Sequence, residues 1–278
     1  MLNLLWIELK KRGTAVVGWG VGIGAYLALI MAMSPQLAPQ FANIDLASIP
    51  IYQAFGMNED FSFATIAGLI AVYVSFVGLT IAIYAVLTGA SALVGEEEDG
   101  TLEITLSLPM PRWQIVLTKA IAIAISLLVV LLIAFLGYLT VFSGVEADLN
   151  GDITLSELFQ STIESWPLAF LFAMFTMFMG AYLPRRAHAL TMGLTLLIGG
   201  YLFNNLAEQA GPLKDFRLYL PFYYNVGGRV LTDGLDWGKM ATLTIAGLVF
   251  LFLAVLSFQR RDVTVGQWPW ARLRGKSQ

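Results

Sequence analysis

The longest run of charged residues in the sequence is Glu96-Glu97-Glu98-Asp99, followed at once by Gly100. An Asp-Gly pair is typical of a tight turn. Clustered carboxylates suit a basic partner surface, although runs of charge are often simply solvated. The residues alone leave both interpretations open.

A short helix is predicted after this turn, with Leu102 and Leu106 on one face. Pro109 and Pro111 end it, because proline has no backbone donor and clashes with the preceding turn. A long apolar helix then begins near Arg112. An acidic helix with a defined end could transmit a push into the two apolar helices that flank it.

Few other residues could support chemistry. The sequence has no cysteine and a single histidine, His188, which exclude a thiolate nucleophile and a multi-histidine metal site in one chain. It also has no Gly-x-x-x-x-Gly-Lys-Ser/Thr phosphate-binding loop. We therefore expect no metal site and no catalytic residue, and any nucleotide-driven motor must be a separate polypeptide.

The composition points to a membrane environment. Of 278 residues, 58% are hydrophobic and 13% are charged, and the mean hydropathy is +0.73. A soluble domain carries about a quarter charged residues, so this chain has too little charge to cover a water-facing surface. We predict an all-α integral membrane protein in which residues 1–278 form a single transmembrane domain.

Six apolar runs are long enough to cross about 30 Å of hydrocarbon. The predicted spans are Gly13–Met33, Thr65–Val94, Trp113–Phe142, Pro167–Leu183, Ala189–Phe203 and Met240–Phe258. The second and third exceed the length of one crossing, so we expect them to tilt or to project beyond the bilayer.

The basic residues predict the orientation. If both termini lie inside, only Lys214, Arg217, Arg229 and Lys239 of the 16 lysines and arginines fall outside. This asymmetry follows the positive-inside rule. We therefore expect both termini in the cytoplasm and a multi-pass location in the cell inner (plasma) membrane.

Two segments beside the spans have their own character. Residues 1–12 interleave apolar and charged side chains and predict an amphipathic helix at the inner interface; alternatively, they simply begin the first span. The outer segment 204–239 is too apolar for a plain loop and too short to cross twice. A re-entrant dip into the outer leaflet fits its composition, provided that protein or a cavity shelters its non-helical backbone.

Within the six predicted spans the only charged residue is Lys119, near the cytoplasmic end of the third. Ion-coupled transport commonly uses a carboxylate inside the membrane. If the protein moves a substrate, we expect the energy to come from outside the membrane domain.

The stretch Gly-Glu-Glu-Glu-Asp-Gly-Thr-Leu-Glu from Gly95, then Leu-Ser-Leu-Pro, Pro-Arg and the downstream Lys119, resembles the signature of ABC-2 type permeases. These are the membrane subunits of ATP-binding-cassette exporters of the type V architecture. Their signature reads roughly Glu-x-Glu-x-Gly-Thr-Leu-Glu, Leu-Ser-x-Pro, a small residue, Arg and finally Lys. One departure is Met110, where the family more often has a small polar residue.

The resemblance implies that residues 95–112 are a cytoplasmic coupling segment that contacts a separate ATPase subunit. The residues assigned to this contact are Glu96, Glu97, Glu98, Gly100, Thr101, Leu102, Glu103, Leu106, Pro109 and Arg112. The resemblance also implies a homo- or heterodimer of permease subunits, with ATP and Mg bound by the ATPase and with no nucleic-acid partner. The second and fifth spans are the expected walls of the path.

Four residues are candidates for the substrate path: Tyr84, Phe175, Met179 and Phe203. Aromatic and thioether side chains suit a promiscuous apolar surface, although helix packing and lipid contact are the simpler explanation. The predicted function is export by a permease that a separate ATPase drives. The alternatives are a secondary transporter or channel without a motor and, less in keeping with the residues, an intramembrane enzyme acting on lipid.

Overall fold

The computed structural model describes residues 1–41, 65–102, 107, 109–149, 153–207, 211–225 and 227–260. In chain order its helices are α1 (Leu2–Phe41), α2 (Ile66–Ala90), α3 (Arg112–Leu149), α4 (Leu155–Ile163), α5 (Ser165–Tyr182), α6 (Arg186–Ala207), α7 (Pro221–Tyr224), α8 (Val230–Asp233) and α9 (Trp237–Arg260). Within these ranges no strand occurs.

In the described part of the chain, six helical segments are long and apolar enough to cross a membrane. They are Leu2–Gln40, Ile66–Glu98, Arg112–Leu149, Leu155–Tyr182, Arg186–Ala207 and Trp237–Arg260. The all-α class and the six-span count predicted from the sequence are confirmed.

Helix α1 is longer than the sequence predicted, because it runs without a break from Leu2 to Phe41. Residues 1–12 are therefore the first turns of a continuous helix, and their position at the inner interface stays a prediction. Its other end continues through Pro35. That proline cannot donate to the Met31 carbonyl, but the Ser34 hydroxyl donates to the same oxygen at 2.7 Å.

Each of the other spans also extends past at least one of its predicted boundaries. The largest difference precedes the fourth span, where the predicted outer loop contains α4. Thr154 caps this helix: its hydroxyl oxygen accepts a hydrogen bond from the Glu157 N–H at 3.3 Å, and the Glu157 carboxylate accepts one from the Thr154 N–H at 2.7 Å. This reciprocal capping box is a strong local helix start, and the hydropathy pattern alone missed it.

Helix α5 lies at the centre of the bundle. In the span Leu155–Tyr182, 72% of the most apolar stretch is buried, against 22% in Trp237–Arg260. Helices α2, α6 and α9 pack against α5, whereas α1 packs along α3 and also touches α2. Large side chains such as Phe172, Met174 and Met177 are fully buried there, so side chains fill the core.

Helices α1 and α3 approach closely at a pair of glycines. A Cβ atom at Gly137 would overlap the carbonyl group of Gly24. Lipid tails are as apolar as leucine, so the hydrophobic effect does little to bring spanning helices together, and close packing at small residues contributes more. Gly137 therefore sets the spacing of this helix pair.

Five chain segments meet at one end of the bundle: the start of α1, the end of α2, the start of α3, the α5–α6 turn and the end of α9. Their contacts include Lys119 with Glu8, the Arg186 N–H with Glu98 and the Arg112 guanidinium 6.0 Å from the Phe258 ring. We call this the basic end. The described basic residues near it are Lys10, Lys11, Arg12, Arg112, Lys119, Arg185, Arg186 and Arg260.

The opposite end carries Lys214, Arg217, Arg229 and Lys239, and we call it the outer end. The structure thus brings together the segments that the sequence assigned to one side of the membrane. That the basic end faces the cytoplasm stays a prediction.

Replacing Gly137 by alanine should lower the free energy of unfolding by about 1–3 kcal/mol, because the added methyl group forces α1 away from α3. Titration of the purified protein with sodium dodecyl sulfate in mixed micelles measures this. Gly144→Ala is the matched control on the same helix, since no atom lies within 4 Å of a Cβ built there. Equal stability of the two variants would contradict the assigned contact.

Candidate functional site

Helix α2 ends in two unusual turns. A π-helical turn, Ser91–Gly95, precedes an α-helical turn, Glu96–Glu98, and π-helical turns are frequent at functional sites. Gly100 then adopts a φ of +70°, a backbone conformation that glycine reaches without steric cost. The Thr101 N–H donates back to the Glu96 carbonyl at 2.9 Å. We call residues 96–101 the acidic turn; it is a hydrogen-bonded structure, not an open loop.

Lys119 of α3 lies between two carboxylates from other helices. Its Nζ atom is 2.9 Å from Glu8 Oε1 on α1 and 2.7 Å from Glu96 Oε2 in the acidic turn. The Lys11 Nζ atom lies 3.3 Å from Glu96 Oε1, and the Arg12 Nη2 atom lies 3.4 Å from Glu8 Oε2. We call these five residues the ion-pair cluster.

The core of this cluster is shielded from solvent. The Lys119 side chain is 0% exposed and that of Glu8 is 2% exposed. Moving a charge out of water costs several kcal/mol, which only close pairing offsets. Each of these side chains therefore requires its partners, and the ends of α1, α2 and α3 are held in one relative position.

The acidic turn has a buried side and an exposed side. Glu97 is buried, whereas Glu98 and Asp99 are exposed at the basic end. A Glu98 carboxylate oxygen accepts a hydrogen bond from the Arg186 N–H at 3.0 Å, which ties the turn to the start of α6. The exposed side presents negative charge where a basic surface could bind it.

The other residues of the predicted coupling segment lie around this turn. Leu102 is 1% exposed, and Thr101 and Pro109 are exposed. Arg112 is half-buried and stacks on the Phe258 ring of α9. Two residues of the predicted contact lie outside the described part of the chain: Glu103 and Leu106. The coupling role of the segment stays a prediction.

The four candidate path residues fall at separate places. Tyr84 is 2% exposed, and its ring centroid lies 5.6 Å from that of Trp19 on α1. Phe175 packs edge-on against Phe250 of α9 at 5.2 Å. Met179 is half-buried, and Phe203 is 40% exposed on α6. Their assignment to a path stays a prediction.

A second buried carboxylate anchors the outer end. Glu164, between α4 and α5, is 1% exposed. One of its oxygens accepts hydrogen bonds from the Asn225 side-chain amide at 2.6 Å and from the Gly227 N–H at 3.2 Å. The next N–H, that of Gly228, donates to the Ser75 hydroxyl of α2 at 3.2 Å. The chain between α7 and α8 is therefore bonded to both α2 and the start of α5.

The outer segment also reaches in between the helices. Phe222 of α7 is buried, with its ring centroid 5.8 Å from that of Phe172 on α5 and 5.2 Å from that of Tyr201 on α6. At a rise of 1.5 Å per residue, both partners lie about 10 Å from the outer ends of their helices. The position of this segment relative to lipid stays a prediction.

The helix boundaries correct the earlier inventory of charges inside the spans. Besides Lys119, the spans of the structure contain the buried carboxylates Glu8, Glu97 and Glu164. Sequence reasoning missed the burial of all three, because it placed them outside the apolar runs. A signal for Glu8 was present: Lys11 and Arg12 follow it by three and four positions, which places opposite charges on one face of the helix. Asn225 had no comparable signal.

Comparison with known proteins adds one match. The family model described as ABC-2 family transporter protein matches residues 2–263 of the chain. No curated protein matches the sequence.

Replacing Lys119 by methionine should lower the free energy of unfolding by about 3–5 kcal/mol, because Glu8 and Glu96 lose their shared buried cation. The same detergent titration measures the change. Lys11→Met removes an exposed partner of the same two acids and should cost at most about 1 kcal/mol. A similar small loss for both variants would show that the buried lysine does not hold the three helices together.

Proposed function

Because the chain belongs to the ABC-2 transporter family and has six helices able to span a membrane, we propose that it is the permease subunit of a type V ATP-binding-cassette exporter. A separate ATPase subunit binds ATP and Mg and drives it. The permease itself performs no catalysis, consistent with a sequence that lacks a phosphate-binding loop.

The observation that carries this proposal is the attachment of the acidic turn to three spanning helices. Glu96 belongs to the turn and is bonded to Lys119, which is bonded in turn to Glu8. If the turn moved and α1 and α3 stayed in place, buried charges would be separated, which is energetically costly. The ion-pair cluster is thus a rigid connection between the basic end and the membrane-spanning region.

In the proposed orientation the basic end faces the cytoplasm, as the positive-inside rule requires. Glu98, Asp99 and Thr101 are exposed there and form the surface that binds the ATPase. We expect the facing surface of the ATPase to be basic, because complementary charge guides association and selects partners.

The proposed path lies between two permease subunits. Within one subunit α5 occupies the centre, and buried side chains fill the space around it. Such a core leaves little room for a wide path through a single six-helix bundle. In the resting state the outer segment, re-entrant in the outer leaflet, covers the path. Closure of the ATPase subunits pushes the acidic turns and opens the path outward.

Reversing one exposed charge of the acidic turn should weaken binding of the ATPase. The chain carrying Asp99→Lys, purified from its native membranes in mild detergent, should recover roughly tenfold less ATPase than the unchanged chain, because like charges then face each other. Glu146→Lys, an exposed acid on α3 at the outer end, should recover the normal amount. An unchanged chain that purifies without any ATPase would refute the proposed partner.

Coupling across the membrane is testable with a single thiol, because the chain has no cysteine. Ser75 lies under the Gly228 backbone, which belongs to the outer segment that covers the proposed path. If ATP opens the path outward, it should increase labelling of Ser75→Cys by a membrane-impermeant maleimide. Adding Glu103→Gln or Arg112→Gln should abolish that increase while ATP hydrolysis continues.

The control for this labelling is Ser143→Cys, which is exposed on α3 at the outer end and should react equally with and without ATP. An ATP-dependent increase that persists in both coupling variants would contradict the role of the segment 95–112.

A further inference from the structure

A groove of about 730 Å³ lies between α1 and α2. Its volume falls within the range of small-molecule sites, roughly 300–1,000 Å³. Residues of both helices line it, among them Ala15, Trp19, Gly22, Tyr26, Phe76 and Thr80. From Ala15 to Tyr26 it extends about 16 Å along α1, a length that suits an alkyl chain of medium length.

The lining of the groove is apolar. None of the described residues that line it carries a charge, and both of their hydroxyl groups already have acceptors. The Thr80 hydroxyl donates to the Phe76 carbonyl at 2.8 Å, and the Tyr26 hydroxyl donates to the Tyr73 carbonyl at 3.3 Å. A ligand body in this groove is therefore recognised by apolar contact.

Two buried donors lie just beyond the groove toward the basic end. Arg12 and Ala15 lie on the same face of α1 as Trp19, and Tyr84 lies one turn beyond Thr80 on the lining face of α2. The Tyr84 hydroxyl and the Arg12 Nε atom are both buried, and neither has a hydrogen-bond partner among the described residues. Buried polar groups are rarely left unpaired, so these two donors point to an acceptor that a ligand brings.

The charge at this position favours an anionic acceptor. The ion-pair cluster, of which Arg12 is a member, joins three cations to two carboxylates. The formal balance of those five groups is one positive charge. A single anionic head next to Arg12 would neutralise it.

We propose that this groove binds a single-chain amphiphile with an anionic head, and that such amphiphiles are the substrates that the transporter exports. The apolar chain lies between α1 and α2. The head reaches past the half-buried Trp19 ring, which packs on Tyr84, and accepts hydrogen bonds from the Tyr84 hydroxyl and Arg12 Nε.

The part of this inference that concerns export rests on the proposed function, whereas binding does not. The groove ends next to Arg12, which contacts Glu8 in the ion-pair cluster. A movement of the acidic turn therefore reaches the position of the ligand head through Glu8 and Lys119. Substrate binding and the push of the ATPase act on the same buried charges.

Binding is measured on the purified chain alone, in phosphatidylcholine nanodiscs, by quenching of tryptophan fluorescence. The probes are a bromine-labelled dodecanoate and the uncharged bromododecane. Trp19→Phe removes the reporting residue and identifies its share of the signal. We expect saturable quenching by both probes that depends on Trp19.

Two variants test the two parts of the site. Gly22→Leu fills the groove, since a Cβ at Gly22 meets no atom within 4 Å, and should raise the Kd of both probes at least roughly tenfold. Tyr84→Phe removes one donor without changing shape and should raise the Kd of the dodecanoate roughly tenfold, the effect of one hydrogen bond to a charged group. It should leave the Kd of bromododecane unchanged.

Gly199→Leu on α6 is the matched control, because a Cβ there also meets open space, and both affinities should be retained. Quenching that rises without saturation, or that Gly22→Leu does not affect, would overturn the site. Equal effects of Tyr84→Phe on both probes would overturn the position of the head.

Export is a separate measurement on the complex with its ATPase. Inside-out membrane vesicles should accumulate radiolabelled dodecanoate only with ATP, and Gly22→Leu should abolish this uptake while Gly199→Leu retains it. Binding without ATP-dependent uptake, in vesicles where the ATPase is present and active, would overturn the substrate assignment and leave the permease role intact. Failure to recover any ATPase would instead overturn the permease role and leave the binding site standing.

Discussion

A lysine buried away from water must be paired, and in this protein that requirement organises one whole end of the bundle. Lys119 is 0% exposed and lies within 3 Å of carboxylates on two other chain segments. A lone ammonium group in such a place would lose its proton or disrupt the packing around it. Pairing Lys119 therefore positions the first turns of α1 and the end of α2, and with them the acidic turn.

A buried charge that must be paired also organises the outer end, where the charge is negative. Glu164 is a buried carboxylate whose hydrogen bonds come from the outer segment through Asn225 and Gly227. Between the two ends, helix association depends on close contacts at small residues such as Gly24 and Gly137. The spanning region is thus packed along its length and tied by charge or hydrogen bonds at both ends.

Under the proposed function, this distribution of forces suits the transmission of movement from the acidic turn to the spanning helices. Apolar contacts between helices are not directional and permit sliding, whereas buried ion pairs tolerate little separation. Under the proposed function, a force applied to the acidic turn reaches α1 and α3 through Lys119 and Glu8. The groove between α1 and α2 lies next to the ion-pair cluster, because Arg12, a member of the cluster, is on the same face of α1 as the groove-lining residues Ala15 and Trp19.

Local rules were sufficient for much of this description. The length of the apolar runs predicts six spans, the placement of Lys and Arg predicts which segments share an end, and the Glu96–Asp99 run with Gly100 predicts a turn of functional interest. The spans and the turn depend on residues within about 20 positions of one another, where hydropathy and turn chemistry act directly. The shared ends follow instead from comparing the charges of all the loops. The helix boundaries were less accurate, because Ser34 and the Thr154–Glu157 cap lie beyond the apolar runs.

Tertiary structure alone decided which charges meet. Glu8 and Lys119 are 111 positions apart, and Glu164 and Asn225 are 61 positions apart. No sequence pattern links the two members of either pair. A carboxylate beside an apolar run looks solvated in the sequence, and only the packing of distant helices removes the water and makes a partner necessary. The sequence by itself therefore determined the spans and the acidic turn, whereas the fold determined that Lys119 joins that turn to α1 and α3, because desolvation exists only once the helices have come together.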